Sequence, residues 1–116
     1  MSADKQTIDK RVAEANAALI EDLKLPGDES DVREYIEHHL EEVESEYWTK
    51  QFGESKPAID MVASRLVVKP FWMEEALEGE ADLDRVDFTL PGDITDYVLC
   101  VEYAEDGKSY EITMES

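Results

Sequence analysis

Between Asp96 and Ser116 the chain reads DYVLCVEYAEDGKSYEITMES, and the alternation in this stretch restricts the fold more than any other part of the sequence. Tyr97, Leu99, Val101 and Tyr103 occupy alternate positions, while the interleaved Val98 and Cys100 make the second face apolar as well. Successive side chains of a strand project to opposite sides, so a strand apolar on both faces belongs in a sheet interior. Glu105, Asp106 and Gly107 follow, and Asp-Gly supplies the positive φ that a tight reversal needs. Tyr110, Ile112 and Met114 then alternate with Ser109, Glu111, Thr113 and Glu115, which predicts a return strand with one buried and one wet face. The single cysteine, Cys100, has no partner for an internal disulfide and reads as a small buried hydrophobe.

The preceding segments extend this hairpin. In Arg85 to Leu90, Val86, Phe88 and Leu90 are expected inward and Arg85, Asp87 and Thr89 outward, before Pro91-Gly92-Asp93 turns the chain into the central strand. Consecutive strands joined by short turns make an antiparallel meander. Leu66 to Trp72 is β-branched and aromatic but contains Pro70, which cannot donate to a ladder, so it is expected as an edge strand. Met73 to Asp84 reads as an acidic loop holding a helical turn around Glu74 to Leu77.

The N-terminal half has helical periodicity instead. Ile8, Val12, Ala15, Leu19 and Leu23 recur at steps of three and four, predicting a helix over Asp4 to Leu25 that stops at Pro26-Gly27. Ser30 or Asp31 caps a second helix, with Glu34 completing a capping box if Asp31 is the cap. Val32, Tyr35, Ile36, His39, Leu40, Val43 and Tyr47 line one side of it, and it is expected to run to Phe52-Gly53. Ser55 as cap, Pro57 in the first turn, and Ile59, Val62 and Leu66 predict a short third helix. The expectation is one α+β domain over residues 1–116, its N-terminal helices packed on one face of an antiparallel sheet of about four strands that ends in a C-terminal β-meander.

Charge narrows the function. Thirty acidic residues against eleven basic ones give a net charge of -19, which repels phosphate backbones and anionic lipid heads. Neither nucleic acid nor a membrane is an expected partner. No apolar run approaches the ~18 residues of a membrane span and no basic, apolar leader opens the chain, so a cytoplasmic protein is expected.

Candidate chemistry is sparse. No phosphate loop, dinucleotide fingerprint or nucleophile elbow is present. Glu80, Asp82 and Asp84 start like a calcium loop, but Arg85 stands where its glycine is due and Pro91 where its final glutamate is due. His38 and His39 lie in Glu37-His38-His39-Leu40-Glu41-Glu42, yet adjacent helical residues point about 100° apart and His39 belongs to the apolar stripe. No metal and no cofactor are therefore expected. The alternative to a non-catalytic protein is a small hydrolase or metal-dependent enzyme using His38, His39 and nearby carboxylates, which needs a polar pocket converging on them. A self-assembling subunit would instead expose an apolar patch on the open sheet face or along the edge strand with Trp72. The remaining signal is the acidic row Glu34, Glu37, Glu41 and Glu44, at helical steps of three and four, with only Arg33 spaced to relieve Glu37. Such a row is either a solvated face or a docking surface for a basic partner protein, as in small immunity proteins by analogy of charge alone.

The C-terminal motif also has a likeness. DFTLPGDITDYVLCVEYAEDGKSYEITMES resembles the C-terminal signature of a family of small acidic bacterial proteins that form a domain of unknown function. The family pattern is an aromatic-rich strand, a TDY-containing strand, a D-G turn and a terminal I-x-MES. Here these are Phe88, Thr95-Asp96-Tyr97, Asp106-Gly107, and Ile112 with Met114-Glu115-Ser116. VREYIEHHLEE in the second helix resembles the family more weakly. The resemblance implies a fold and carries no catalytic or ligand residues.

Overall fold

Helix-forming periodicity gives way to strand alternation near Leu66, and the chain follows that order. A computed structural model describes residues 5–26, 29–79, 83–92, 94–106 and 108–115. The elements are α1 (Lys5–Asp22), α2 (Asp31–Glu42), α3 (Ser45–Phe52), α4 (Ile59–Ser64), β1 (Val67–Val68), α5 (Pro70–Leu77), β2 (Arg85–Thr89), β3 (Val98–Tyr103) and β4 (Tyr110–Glu115). The four strands lie in the order β1-β2-β3-β4 with every neighbour antiparallel. The fold is thus α+β with a C-terminal meander. The calcium-loop-like Glu80 and Asp82, and the turn residues Gly27, Asp93 and Gly107, lie outside the described residues.

The core is one contiguous cluster between helices and sheet. From α1 it takes Ile8, Ala15 and Leu19, all fully buried, and from the sheet Val86, Phe88, Leu99, Val101 and Ile112. Full burial of each large apolar side chain contributes roughly 1.5–3 kcal/mol, so this face holds α1 on β2 and β3. At the other end of α1, the Asp22 carboxylate reaches the start of α2 and accepts from Val32 N (3.1 Å) and from Ser30 Oγ (2.7 Å). Ser30 is the cap, its Oγ accepting from Arg33 N at 3.1 Å. With Ser30 in that role the third helical position is Arg33, so the capping box expected from Asp31 and Glu34 does not form, and Asp22 serves the second exposed N–H instead.

The helix expected from Ser30 to Phe52 is two helices. Val43 is extended (φ -94°, ψ 138°), closes α2, and is followed by Glu44 as the extended residue before α3. Phase explains the break. At about 100° per residue, an unbroken helix would turn Trp48 and Phe52 to the side opposite the stripe centred on Tyr35, Ile36 and His39. Breaking at Val43 brings both rings into the core, where Trp48 is 1% and Phe52 5% exposed. The Trp48 indole N–H also donates to the Val43 carbonyl at 3.3 Å, occupying an acceptor that the break released. Gly53 then ends α3 in the left-handed region (φ 80°).

The segment Leu66 to Trp72 is corrected similarly. Only Val67 and Val68 pair, at the sheet edge as expected, and Pro70 opens α5 at a first-turn position where its missing N–H has no intrahelical partner to lose. Trp72 and Ala76, four apart, bury the inner side of α5, and the Trp72 indole donates to Arg85 O at 2.6 Å. The helical turn expected around Glu74 to Leu77 is present as the second half of α5, which begins earlier than expected, at Pro70.

Burial on the strands also departs from strict alternation. Thr89, expected outward, is 3% exposed, while Tyr110 and Met114, expected inward, are 42% and 39% exposed. β4 is an edge strand and only Ile112, opposite Val101, is covered along it. Tyr97 precedes β3 and is also exposed. On the opposite sheet face Arg85 pairs with Asp87 (3.2 Å) and with Glu115 of β4. Register places Cys100 midway along the diagonal from Arg85 to Glu115 on the same sheet face, and its thiol is fully buried. Burial pushes the thiol up to about 12, the neighbouring Arg85 charge opposing and Asp87 reinforcing that shift.

Candidate functional site

The two histidines take different roles because α2 turns them different ways. His39 is 2% exposed, with Nδ1 2.7 Å from Tyr35 O and Nε2 3.0 Å from Thr95 Oγ1. A carbonyl only accepts, so Nδ1 carries the proton and Nε2 accepts from the Thr95 hydroxyl, which itself accepts from Tyr97 N at 3.2 Å. Both ring nitrogens are occupied, Nδ1 within α2 and Nε2 in joining α2 to the β2–β3 connection. Close by, the Tyr97 carbonyl accepts from Tyr35 Oη (2.8 Å) and Thr89 Oγ1 (3.3 Å), so the buried Thr89 hydroxyl has a partner. His38 is exposed, its ring 5.3 Å from that of His39 and 6.0 Å from that of Tyr97.

Burial lowers the His39 pKa from its ordinary value, opposed by the Tyr35 carbonyl and reinforced by His38. A lowered folded-state value means the unfolded chain takes up the proton first as pH falls. The stabilising contribution of neutral His39 is therefore complete above about pH 6.5 and is lost as pH drops from there toward the folded-state pKa. Proton NMR titration is expected to give His39 a midpoint below about 6.5. A midpoint above that would contradict the neutral, doubly bonded ring.

The acidic row is redistributed by the helix break. Glu34, Glu37 and Glu41 remain along α2 and are exposed, whereas Glu44 stands beyond it as the residue before α3. The Arg33 guanidinium, spaced to relieve Glu37, donates instead to Leu23 O at 3.4 Å. Burial raises the Asp31 pKa at the start of α2, and the carboxylates of Asp22, Glu34 and Glu111 push it the same way, a sign of the negative field around this helix. Each like-charge pair at these spacings costs about 0.2–0.5 kcal/mol.

Two open depressions flank the break. One, of about 500 Å³, is lined by Glu37, Leu40, Glu41 and Lys56. The other, of about 460 Å³, has Val43, Tyr47 and Ile94 as its apolar part, with Glu42, Glu44, Glu46 and Lys50 around them. Tyr47 is fixed there by its hydroxyl, which donates to Pro91 O at 2.5 Å, and burial pushes its pKa up to about 12. Gly92 (φ 88°) carries the β2–β3 connection past this point, where a Cβ would stand 3.1 Å from Gln51 Nε2 of α3. Sequence reasoning missed Glu46 and Ile94 and weighed Glu42 only beside the histidines. The available signal was the every-second-residue spacing of Glu42, Glu44 and Glu46, which one continuous helix would scatter around its circumference.

Neither histidine lines either depression. Among the described residues no three His, Cys, Asp or Glu side chains are grouped so that they could hold a metal ion. Among the described residues no helix is long and apolar enough to cross a membrane. Trp72, expected at an exposed edge, is 5% exposed; the exposed apolar residues beside β1 are Val67 and Phe71. No family model, curated protein or solved structure matches the chain.

Proposed function

We propose that this chain is a non-catalytic interaction module, cytoplasmic and of the small acidic bacterial type that its C-terminal motif resembles, whose acidic α2 face docks a basic protein partner. One observation carries the reading: Glu34, Glu37 and Glu41 all lie exposed along α2 in a chain of net charge -19. That concentration raises the local negative potential, which attracts a basic partner over distances set by the Debye length, ~10 Å at 0.1 M salt. Steering of this kind acts mainly on the association rate.

The test uses the basic protein obtained by affinity capture from the native cell. Stopped-flow association is expected to slow steeply with added salt. Glu37→Lys with Glu41→Lys is expected to slow it roughly tenfold at low ionic strength. Asp9→Lys with Glu14→Lys, an equal change of charge on exposed positions of α1, controls for net charge and is expected to do much less. If the two double variants behave alike, the α2 row is a solvated face and the proposal is wrong.

A further inference from the structure

We infer that the depression at the α2–α3 break takes the apolar anchor of a basic amphipathic segment, so that the partner is recognised by one greasy side chain ringed with lysines or arginines. This rests on the reading of the acidic face as a docking surface and adds the kind of segment that docks. Three features of the depression select that occupant. Its apolar part is formed by Val43, Tyr47 and Ile94, and Ile94 is 42% exposed. Its rim is acidic, with Glu42, Glu44 and Glu46 outnumbering the single Lys50. It is an open depression of about 460 Å³ rather than an enclosed cavity, so an occupant would sit against the surface as a side chain does and would not be engulfed.

Charge complementarity settles among occupants. A second copy would bring another chain of net charge -19 against these carboxylates, and nucleic acid would bring phosphates. Lysine and arginine meet both halves of the surface, since their aliphatic stems lie on apolar ground while their heads reach the rim. An apolar anchor at the centre, shielded from water by such a polar ring, is the usual arrangement of an energetic contact.

The probe is a short amphipathic peptide of lysine and leucine, compared with a peptide of equal charge in which serine replaces leucine. Binding is followed by fluorescence anisotropy, with near-ultraviolet circular dichroism confirming the fold of each variant. The leucine peptide is expected to bind more tightly, and Ile94→Ser to weaken it roughly tenfold while leaving the serine peptide unchanged. Glu44→Gln with Glu46→Gln is expected to weaken the leucine peptide more than Glu34→Gln with Glu37→Gln, the same loss of charge elsewhere. Glu44 makes no capping hydrogen bond through its side chain, which leaves α3 intact in that variant. Equal affinity of the two peptides, or indifference of the leucine peptide to Ile94→Ser, overturns the anchor site. In either case a steep salt dependence of the captured partner's association leaves the acidic docking face standing, whereas its absence removes both.

Discussion

Trp48→Ala is expected to remove about 3–5 kcal/mol of folding stability, the range for truncating a large buried aromatic. The indole is 1% exposed, lies 5.0 Å from the Tyr47 ring and 5.5 Å from Phe52, and donates to the Val43 carbonyl. Three losses therefore coincide: the transfer energy of the ring, the cavity it leaves, and an acceptor at the end of α2 deprived of its donor. Trp48→Phe keeps most of the volume and is expected to lose markedly less. Thr49→Ala, at the adjacent exposed position, is expected to change stability by no more than about 0.5 kcal/mol. Urea denaturation of the three variants decides the matter. Comparable losses for Trp48→Ala and Thr49→Ala would mean that α2 and α3 run on as one helix with Trp48 outside.

Leu99→Ala is expected to cost about 2–5 kcal/mol, because Leu99 is fully buried in β3 and opposes β2 on one side and β4 on the other. Its register partner on β4, Met114, is 39% exposed, and Met114→Ala is expected to cost less than about 1.5 kcal/mol. The contrast tests where the helical cover ends. Equal losses in chemical denaturation would place Met114 inside the core and restore strict alternation along β4.

How legible this was from sequence varied with how local the cause was. The hairpin of β3 and β4 was readable because alternation and the Asp106 turn act within a few residues; Asp106 Oδ1 accepts from both Lys108 N and Ser109 N at 2.8 Å. What alternation cannot say is how far the covering layer reaches, so it assigned Tyr110 and Met114 to a core that stops at Ile112. Pro70 was read as a disqualification from an interior strand, which it is, but the same missing N–H starts α5. The helix break at Val43 was hidden because the stripe from Val32 to Tyr47 satisfies helical spacing without it. Only the wrong phase of Trp48 and Phe52 signals the break. Of the acidic row, three members were placed correctly on one helix, and the fourth, Glu44, belongs with Glu42 and Glu46 around a depression that no reading of one helix could assemble.

The Arg85 arm across the open sheet face gives the molecule an in-built recorder of its own opening. Cys100 is fully buried on the face that Arg85 crosses, its thiol pushed up to about 12, so at neutral pH it is both covered and almost wholly protonated, and an alkylating reagent has little to attack in the closed form. Reaction must wait for molecules in which the sheet has opened around β3. The rate of modification under native conditions then counts those excursions directly. Because the thiol occurs once in the chain, the count comes from one place, the interior of the sheet at β3.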